Sequence, residues 1–93
     1  MNQETRVPDM PHQILLVDDD APTRLVYHEI LTRMSFDVIE AVDGVKAIEV
    51  LTTHVPDVII LDLLLPRKSG MEVLEYVYAA PHLADTRVII FSA

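Results

Sequence analysis

Three short runs of aliphatic residues most limit the folds open to this chain. Each run ends at a polar residue: Ile14–Val17 before Asp18, Val58–Leu61 before Asp62, and Val88–Phe91 before Ser92. Continuous apolar runs of this length are typical of strands that are covered on both faces, as the strands of parallel sheets are. The sequence therefore predicts three buried strands. A partly alternating segment, Phe36–Ala41, predicts a further strand nearer the sheet edge.

The first interval between predicted strands carries an amphipathic helical pattern. Its apolar residues Val26, Ile30 and Met34 recur at a spacing of four. Leu31 lies beside them and widens the apolar stripe. Asp20 is suited to cap the start of this helix, and Pro22 falls near its first turn. We therefore predict a helix with an apolar face between the first two strands.

Two further helical patterns separate the remaining strands. Their apolar positions are Ala47, Ile48, Leu51 and Val55 in the second helix, and Met71, Leu74, Val77 and Tyr78 in the third. Pro56 and Pro81 mark the ends, because the residue before a proline disfavours helical geometry. Strict alternation of strands and helices predicts an α/β fold, a doubly wound parallel sheet with helices on both faces.

The size and charge of the chain limit its functions. Its 93 residues suffice for one domain, and 51% of them are hydrophobic, so a packed core is expected. A formal net charge of -8 disfavours nucleic acid as a partner. The sequence contains no cysteine and therefore no disulfide framework. Since neither a signal peptide nor a membrane span is apparent, we expect a cytoplasmic protein that does not enter membranes.

The N-terminal segment differs in composition from the rest of the chain. Residues 1–12 are mainly polar and include Pro8 and Pro11. We predict that residues 1–12 form a flexible leader and that a single domain spans residues 13–93.

Oxygen-bearing side chains follow three of the predicted strands. They are Asp18, Asp19 and Asp20 after the first strand, Asp62 after the third and Ser92 after the fourth. Ligands of open parallel sheets bind at the carboxyl ends of the strands, so these groups are expected to meet there. Oxygen ligands without His or Cys suit a hard cation, and Mg²⁺ in particular. Beside such a cation, Asp62 could attack a phosphoryl group and Ser92 could donate to it.

Three blocks of the sequence resemble the receiver domains of two-component response regulators. The blocks are ILLVDDD, VIILDLLLP and VIIFSA, and in the second the lone Asp62 is followed by Pro66 and Gly70, four and eight residues later. Their order and spacing match the family from about Gln13 to the last residue. The resemblance implies a flavodoxin-like receiver fold.

The resemblance also implies a role for each matching residue. Asp62 would be the phosphoacceptor, and Asp18, Asp19, Asp62 and the backbone carbonyl of Leu64 would bind Mg²⁺. Asp20 would fall outside the ion site and cap the first helix. Ser92 would be the switch hydroxyl. The implied phosphoryl donor is a sensor histidine kinase or a phosphotransfer protein, so the chain would be a signalling domain rather than an enzyme acting on other substrates.

The sequence departs from the family pattern after its fourth strand. Family members continue with a helix, a fifth strand that carries a lysine, and a last helix. Lys46 and Lys68 do not match that lysine. We therefore expect a receiver domain that is incomplete after its fourth strand and has an exposed apolar sheet edge, which could pair with a second copy in a homodimer.

Two other functions are compatible with these residues. A receiver-like module that is not phosphorylated could serve only for interaction or dimerisation. A Mg²⁺-dependent phosphatase of the haloacid dehalogenase type also places an Asp nucleophile after a buried strand. That class needs a second Asp two residues later as general acid, and Leu64 occupies the position here.

Overall fold

The computed structural model describes residues 12–63 and 69–91. Seven main elements follow one another along this part of the chain: β1 (Gln13–Val17), α1 (Ala21–Arg33), β2 (Asp37–Ala41), α2 (Gly44–Leu51), β3 (Val58–Asp62), α3 (Ser69–Ala79) and β4 (Arg87–Phe91). A short 3₁₀ helix, Pro81–Leu83, precedes β4. The predicted leader falls on residues outside this part, apart from His12, whose carbonyl accepts a hydrogen bond from the Asp37 N–H at 2.9 Å.

The four strands form one parallel sheet in the order β2-β1-β3-β4. Val17 at the end of β1 pairs in register with Ala41 of β2 and with Leu61 of β3. This register brings the carboxyl ends of β1 and β3 side by side at one edge of the sheet. The predicted doubly wound α/β fold is confirmed.

Helices α1 and α2 begin at aspartate caps. The Asp20 carboxylate accepts a hydrogen bond from the Thr23 N–H at 3.0 Å, and the Asp43 carboxylate accepts one from the Lys46 N–H at 2.8 Å. Each bond satisfies a backbone donor that has no partner within the helix. The predicted cap role of Asp20 is therefore confirmed, and the cap fixes where the chain turns out of the acidic segment after β1.

The core lies between one face of the sheet and helices α2 and α3. Alternate residues of the two central strands point into it, since side chains alternate between faces along a strand. Its buried members include Leu15 and Val17 of β1, Ile59 and Leu61 of β3, Ala47 and Leu51 of α2, and Val73 and Val77 of α3. Most of the apolar burial in the described residues is therefore on one side of the sheet.

The apolar stripe predicted for α1 is not buried, and that prediction was wrong. Val26 is 56% exposed and Ile30 is 49% exposed, and α1 has no buried residue. The helix instead turns a more polar face toward β2, where Arg24 and His28 contact Glu40. Helical periodicity located the helix but did not identify the face that packs.

The predicted fourth strand forms as β4, but the prediction that it is buried was wrong, and its exposure agrees with the exposed apolar sheet edge that was also predicted. Ile89 is 54% exposed and Ile90 is 46% exposed. Adjacent strand residues point to opposite faces, so each face of β4 carries an exposed isoleucine, although Val88 packs against the core. Strand β4 is an edge strand of the described sheet. No described helix covers these two side chains.

The second and third helices differ from their predicted patterns in detail. Helix α2 ends at Leu51, before Val55, which is exposed in the loop that precedes Pro56. In α3 the buried positions include Val73 and Val77, whereas Tyr78 is exposed. A shift of one position along a helix turns the side chain by about 100 degrees, which is enough to move Tyr78 off the packed face.

Among the described residues, none of the helices has the length and the apolar content that crossing a bilayer requires.

Candidate metal centre

Three carboxylates meet where β1 and β3 end. Asp18, Asp19 and Asp62 each offer one oxygen atom, and these three atoms lie within 4.8 Å of one another. Opposite oxygen ligands of a Mg²⁺ ion lie roughly 4.2 Å apart, since each Mg–O distance is about 2.1 Å. Carboxylate oxygens are ligands of the kind that a small divalent cation binds. Only small side-chain movements are needed to bring the three oxygens to the distances that the ion requires.

Asp18 is held more tightly than an ordinary loop residue. Its N–H donates to the Ala41 carbonyl at 3.1 Å, and its carboxylate accepts a hydrogen bond from the Asp20 N–H at 2.9 Å. The residue is only 2% exposed. The hydrogen bond to Ala41 continues the pairing of β1 with β2 for one residue and so places this carboxylate at the carboxyl end of the sheet.

Burial raises the pKa of the Asp18 carboxyl above its usual range. The nearby charges of Asp62, Asp19 and Asp20 raise this pKa further, against the lowering effect of the hydrogen bond from the Asp20 N–H. A carboxylate in these surroundings is costly to ionise unless a cation offsets the repulsion. The electrostatics of the site therefore favour a bound cation.

The other two carboxylates are more open to solvent than Asp18. Asp19 is exposed and Asp62 is half-buried. Asp62 is the last residue of β3 and pairs in register with Phe91 of β4. Asp62 is thus partly exposed at the carboxyl end of the sheet, and the strand fixes the position of its backbone.

Asp20 lies outside the carboxylate cluster, as the family resemblance implied. Its side chain accepts hydrogen bonds from the N–H and the hydroxyl of Thr23. These bonds lower the pKa of Asp20, so this carboxylate stays ionised as a helix cap. Two other predicted site groups, the Leu64 carbonyl and the Ser92 hydroxyl, lie outside the described residues.

The packing at Gly70 explains the spacing that the sequence motif showed. A Cβ atom at this position would lie 2.9 Å from the Leu63 Cα and 3.1 Å from the Asp62 carbonyl oxygen. The first turn of α3 therefore approaches the peptide that follows Asp62 so closely that any side chain would displace it. Sequence reasoning found the glycine but not this role.

Sequence reasoning missed the contacts of Arg24. Its guanidinium donates from Nη1 to the Asp18 carbonyl at 2.9 Å and from Nε to Glu40 at 3.0 Å. An available signal was Glu40, an acidic residue inside the predicted second strand, with which an arginine of the helix beside it can pair. Helical periodicity alone predicts contacts only at the apolar positions.

The sequence of the chain is similar to those of known response regulators. A family model described as the response regulator receiver domain matches residues 14–93. The chemotaxis protein CheY of Bacillus subtilis is 35% identical over 85 residues, which cover 90% of this chain and 69% of that protein. The sporulation initiation phosphotransferase F of the same organism is 30% identical over 84 residues, which cover 90% of this chain and 66% of that protein.

Solved structures give the same result for the fold. A chemotaxis response regulator of Vibrio cholerae superposes with a TM-score of 0.82 at 26% identity, covering 87% of this chain and 68% of that one. The bacteriophytochrome response regulator AtBRR superposes with a TM-score of 0.77 at 29% identity, covering 91% of this chain and 68% of that one. The chain thus spans about two thirds of the length of these relatives.

Proposed function

The chain belongs to the family of response regulator receiver domains, and we therefore propose that Asp62 accepts a phosphoryl group. The donor would be a phosphohistidine of a sensor kinase or a phosphotransfer protein in the cytoplasm. The observation that carries this proposal is the meeting of the Asp62 carboxylate with those of Asp18 and Asp19 at the edge of the sheet. Asp62 is the carboxylate of this group that ends a strand and is only half-buried.

The proposed transfer is a displacement at phosphorus. One Asp62 carboxylate oxygen forms a bond to phosphorus while the bond from phosphorus to the donor imidazole nitrogen breaks. The electron pair of the broken bond returns to the imidazole, and Asp62 becomes an acyl phosphate. In the hydrolysis that resets the domain, a water oxygen forms a bond to phosphorus and releases a proton to solvent. The bond from phosphorus to the carboxylate oxygen breaks, Asp62 regains its carboxylate, and inorganic phosphate leaves. The domain acts only on its own aspartate.

Asp18, Asp19 and Asp62 would hold Mg²⁺, with the Leu64 carbonyl as the further ligand that the family resemblance implies. When bound, the ion supplies positive charge that offsets the carboxylates and attracts phosphoryl oxygens. The residues of the chain provide the rest. Strand β3 fixes the Asp62 backbone, and two hydrogen bonds fix the position of Asp18. Ser92 would donate to a phosphoryl oxygen and so sense the modification.

The test is phosphorylation by a small donor. Acetyl phosphate with Mg²⁺ should add one phosphoryl group to the chain, detected by intact-mass spectrometry, and EDTA should prevent the addition. Asp62→Asn should remain unmodified. Asp85→Asn, which changes an exposed carboxylate of the loop before β4, should be modified like the wild type. Modification of Asp62→Asn to the wild-type extent would refute the assignment of the acceptor.

A second candidate function is an interaction module that is not phosphorylated. The observation that favours it is the exposure of Ile89 and Ile90 on the open edge strand β4. Exposed strand edges pair readily with another chain, so a homodimer through β4 is the form this function would take. Sedimentation velocity over a range of concentrations tests it. Self-association that Ile89→Lys abolishes, together with no response to acetyl phosphate, would favour this function over phosphoryl transfer.

A further inference from the structure

We infer that Arg24 is the positioning residue of the cation site, because its side chain fixes the peptide that joins two of the prospective ligands. This inference rests on the proposed function, since it concerns how the same site is held for Mg²⁺. It adds a residue of α1 to a site that is otherwise made from the ends of β1 and β3.

The Arg24 side chain makes two directed hydrogen bonds. Nη1 donates to the Asp18 carbonyl at 2.9 Å, and Nε donates to the Glu40 carboxylate at 3.0 Å. The side chain is only 16% exposed. A planar guanidinium held by two acceptors in different elements has little freedom to move.

The carbonyl that Arg24 holds belongs to the peptide between Asp18 and Asp19. Rotation of this peptide would swing the Asp19 backbone, and with it the Asp19 carboxylate, relative to that of Asp18. The N–H of Asp18 is already fixed by the Ala41 carbonyl, at 3.1 Å. Together with the hydrogen bond from the Asp20 N–H to the Asp18 carboxylate at 2.9 Å, Arg24 therefore restricts the rotation that the strand pairing leaves open.

Glu40 of β2 anchors the other end of this connection. It pairs in register with Leu16, two residues before Asp18, so Glu40 and Asp18 lie on the same face of the sheet. His28 Nδ1 lies 2.6 Å from the second Glu40 oxygen but is not aligned for a hydrogen bond. Arg24 is thus the side chain that links β2, through Glu40, to the acidic segment after β1.

The charge and the geometry of Arg24 predict opposite effects on cation binding. A positive charge near the site repels a divalent cation, so removal of the charge alone should strengthen Mg²⁺ binding. Loss of the hydrogen bonds should weaken it, because the two carboxylates would no longer be held together. Removal of groups that orient metal ligands typically weakens metal affinity by about tenfold to a hundredfold.

The test is the Mg²⁺ affinity of matched variants of the whole chain, measured by isothermal titration calorimetry. Arg24→Lys keeps the charge but cannot span both acceptors in the guanidinium geometry, and Arg24→Gln removes the charge as well. We expect Mg²⁺ to bind Arg24→Lys about tenfold more weakly than the wild type. Arg24→Gln should also bind Mg²⁺ more weakly than the wild type, but by a smaller factor, because it removes the repulsion of the cation together with the hydrogen bonds. Arg33→Gln removes the same charge from an exposed position of the same helix and should bind Mg²⁺ like the wild type.

The folded state of each variant is verified by urea denaturation in EDTA. If the Arg24 variants do not fold, the Mg²⁺ affinity of Glu40→Gln is measured instead. This variant leaves the Arg24 side chain in place but weakens the hydrogen bond from its Nε to residue 40. We expect about threefold weaker Mg²⁺ binding for Glu40→Gln, since a neutral acceptor forms a weaker hydrogen bond to a guanidinium than a carboxylate does.

Three results would overturn the inference: wild-type affinity in folded Arg24→Lys, tighter binding in folded Arg24→Gln, or wild-type affinity in Glu40→Gln when the Arg24 variants are unfolded. If the wild type itself shows no saturable binding of Mg²⁺, the proposed function fails as well. Saturable binding that is unaffected in Arg24→Lys leaves the proposed function intact and removes only the role of Arg24.

Discussion

Gly70 at the start of α3 lies directly against Leu63, the residue after Asp62. A Cβ atom at position 70 would be 2.9 Å from the Leu63 Cα, a distance that real Cβ contacts essentially never show. Since the neighbouring atom belongs to the backbone, it cannot rotate away. The helix and the end of β3 therefore fit only with glycine at this position.

Gly70→Ala should destabilise the fold and disturb the candidate site together. We expect the free energy of unfolding to fall by about 1 to 3 kcal/mol, as in other overpacked sites. We also expect weaker Mg²⁺ binding, because the shift would move the backbone beside Asp62. Urea denaturation and calorimetric titration measure the two effects. Glu75→Ala, an exposed change on the same helix, is the control, and equal behaviour of the two variants would contradict the packing argument.

Asp18→Asn should stabilise the metal-free protein at neutral pH while abolishing Mg²⁺ binding. The substitution removes a buried charge that Asp62, Asp19 and Asp20 repel, and an asparagine oxygen can still accept the Asp20 N–H. The free energy of unfolding in EDTA should rise at pH 7 relative to the wild type. Asp85→Asn should leave it unchanged within about 0.5 kcal/mol, as exposed substitutions do.

The same carboxyl gives the wild-type protein a characteristic pH dependence. The pKa of Asp18 is higher in the folded state than the unfolded value of 3.8, so the folded state binds more protons between these two values. In EDTA, the stability that this group contributes is present below pH 3.8 and is lost as the pH rises through the folded-state pKa. The difference between wild type and Asp18→Asn should therefore shrink on acidification, and a constant difference would contradict the prediction.

Ser35 is the non-glycine residue with a positive φ in the described part of the chain, at 71 degrees. It ends α1 in a Schellman arrangement, in which the Phe36 N–H donates to the Leu31 carbonyl and the Ser35 N–H donates to the Thr32 carbonyl. Glycine adopts this conformation without steric cost. We expect Ser35→Gly to raise the free energy of unfolding by about 1 kcal/mol. Ser35→Ala is the control and should give no gain; a Gly variant no more stable than the wild type would contradict the argument.

Two aliphatic residues that look alike in the sequence should respond differently to truncation. Leu51 is fully buried between the sheet and the helices, and Ile30 is half-exposed on α1. Leu51→Ala should lower the free energy of unfolding by about 2 to 5 kcal/mol. Ile30→Ala should lower it by less than about 1 kcal/mol. A loss at Ile30 as large as that at Leu51 would mean that the apolar face of α1 is packed after all.

The strands and the meeting of the acidic residues could be predicted from the sequence because they depend on local patterns. Continuous aliphatic runs identify β1 and β3, and a parallel sheet necessarily brings their carboxyl ends to one edge. The sequence therefore predicts that Asp18 and Asp62 are neighbours. The cap at Asp20 is equally local, since it involves Thr23 three residues later.

The features that the sequence did not reveal depend on contacts between distant residues. Whether Val26 and Ile30 are buried depends on which elements pack over α1. The spacing of apolar residues along the helix does not give that information. The bond from Arg24 to the Asp18 carbonyl requires the helix to lie with its polar side toward β2. The need for glycine at position 70 arises from the close approach of α3 to Leu63, a distance that no sequence pattern expresses.

Asp18, Asp19 and Asp62 should form one divalent cation site, and a calorimetric titration with Mg²⁺ measures binding at that site. The wild type should bind one Mg²⁺ ion saturably, Asp18→Asn and Asp62→Asn should each lose that binding, and Asp85→Asn should retain it. If the wild type shows no saturable binding, or if Asp18→Asn and Asp62→Asn bind Mg²⁺ undiminished, these carboxylates do not form the cation site.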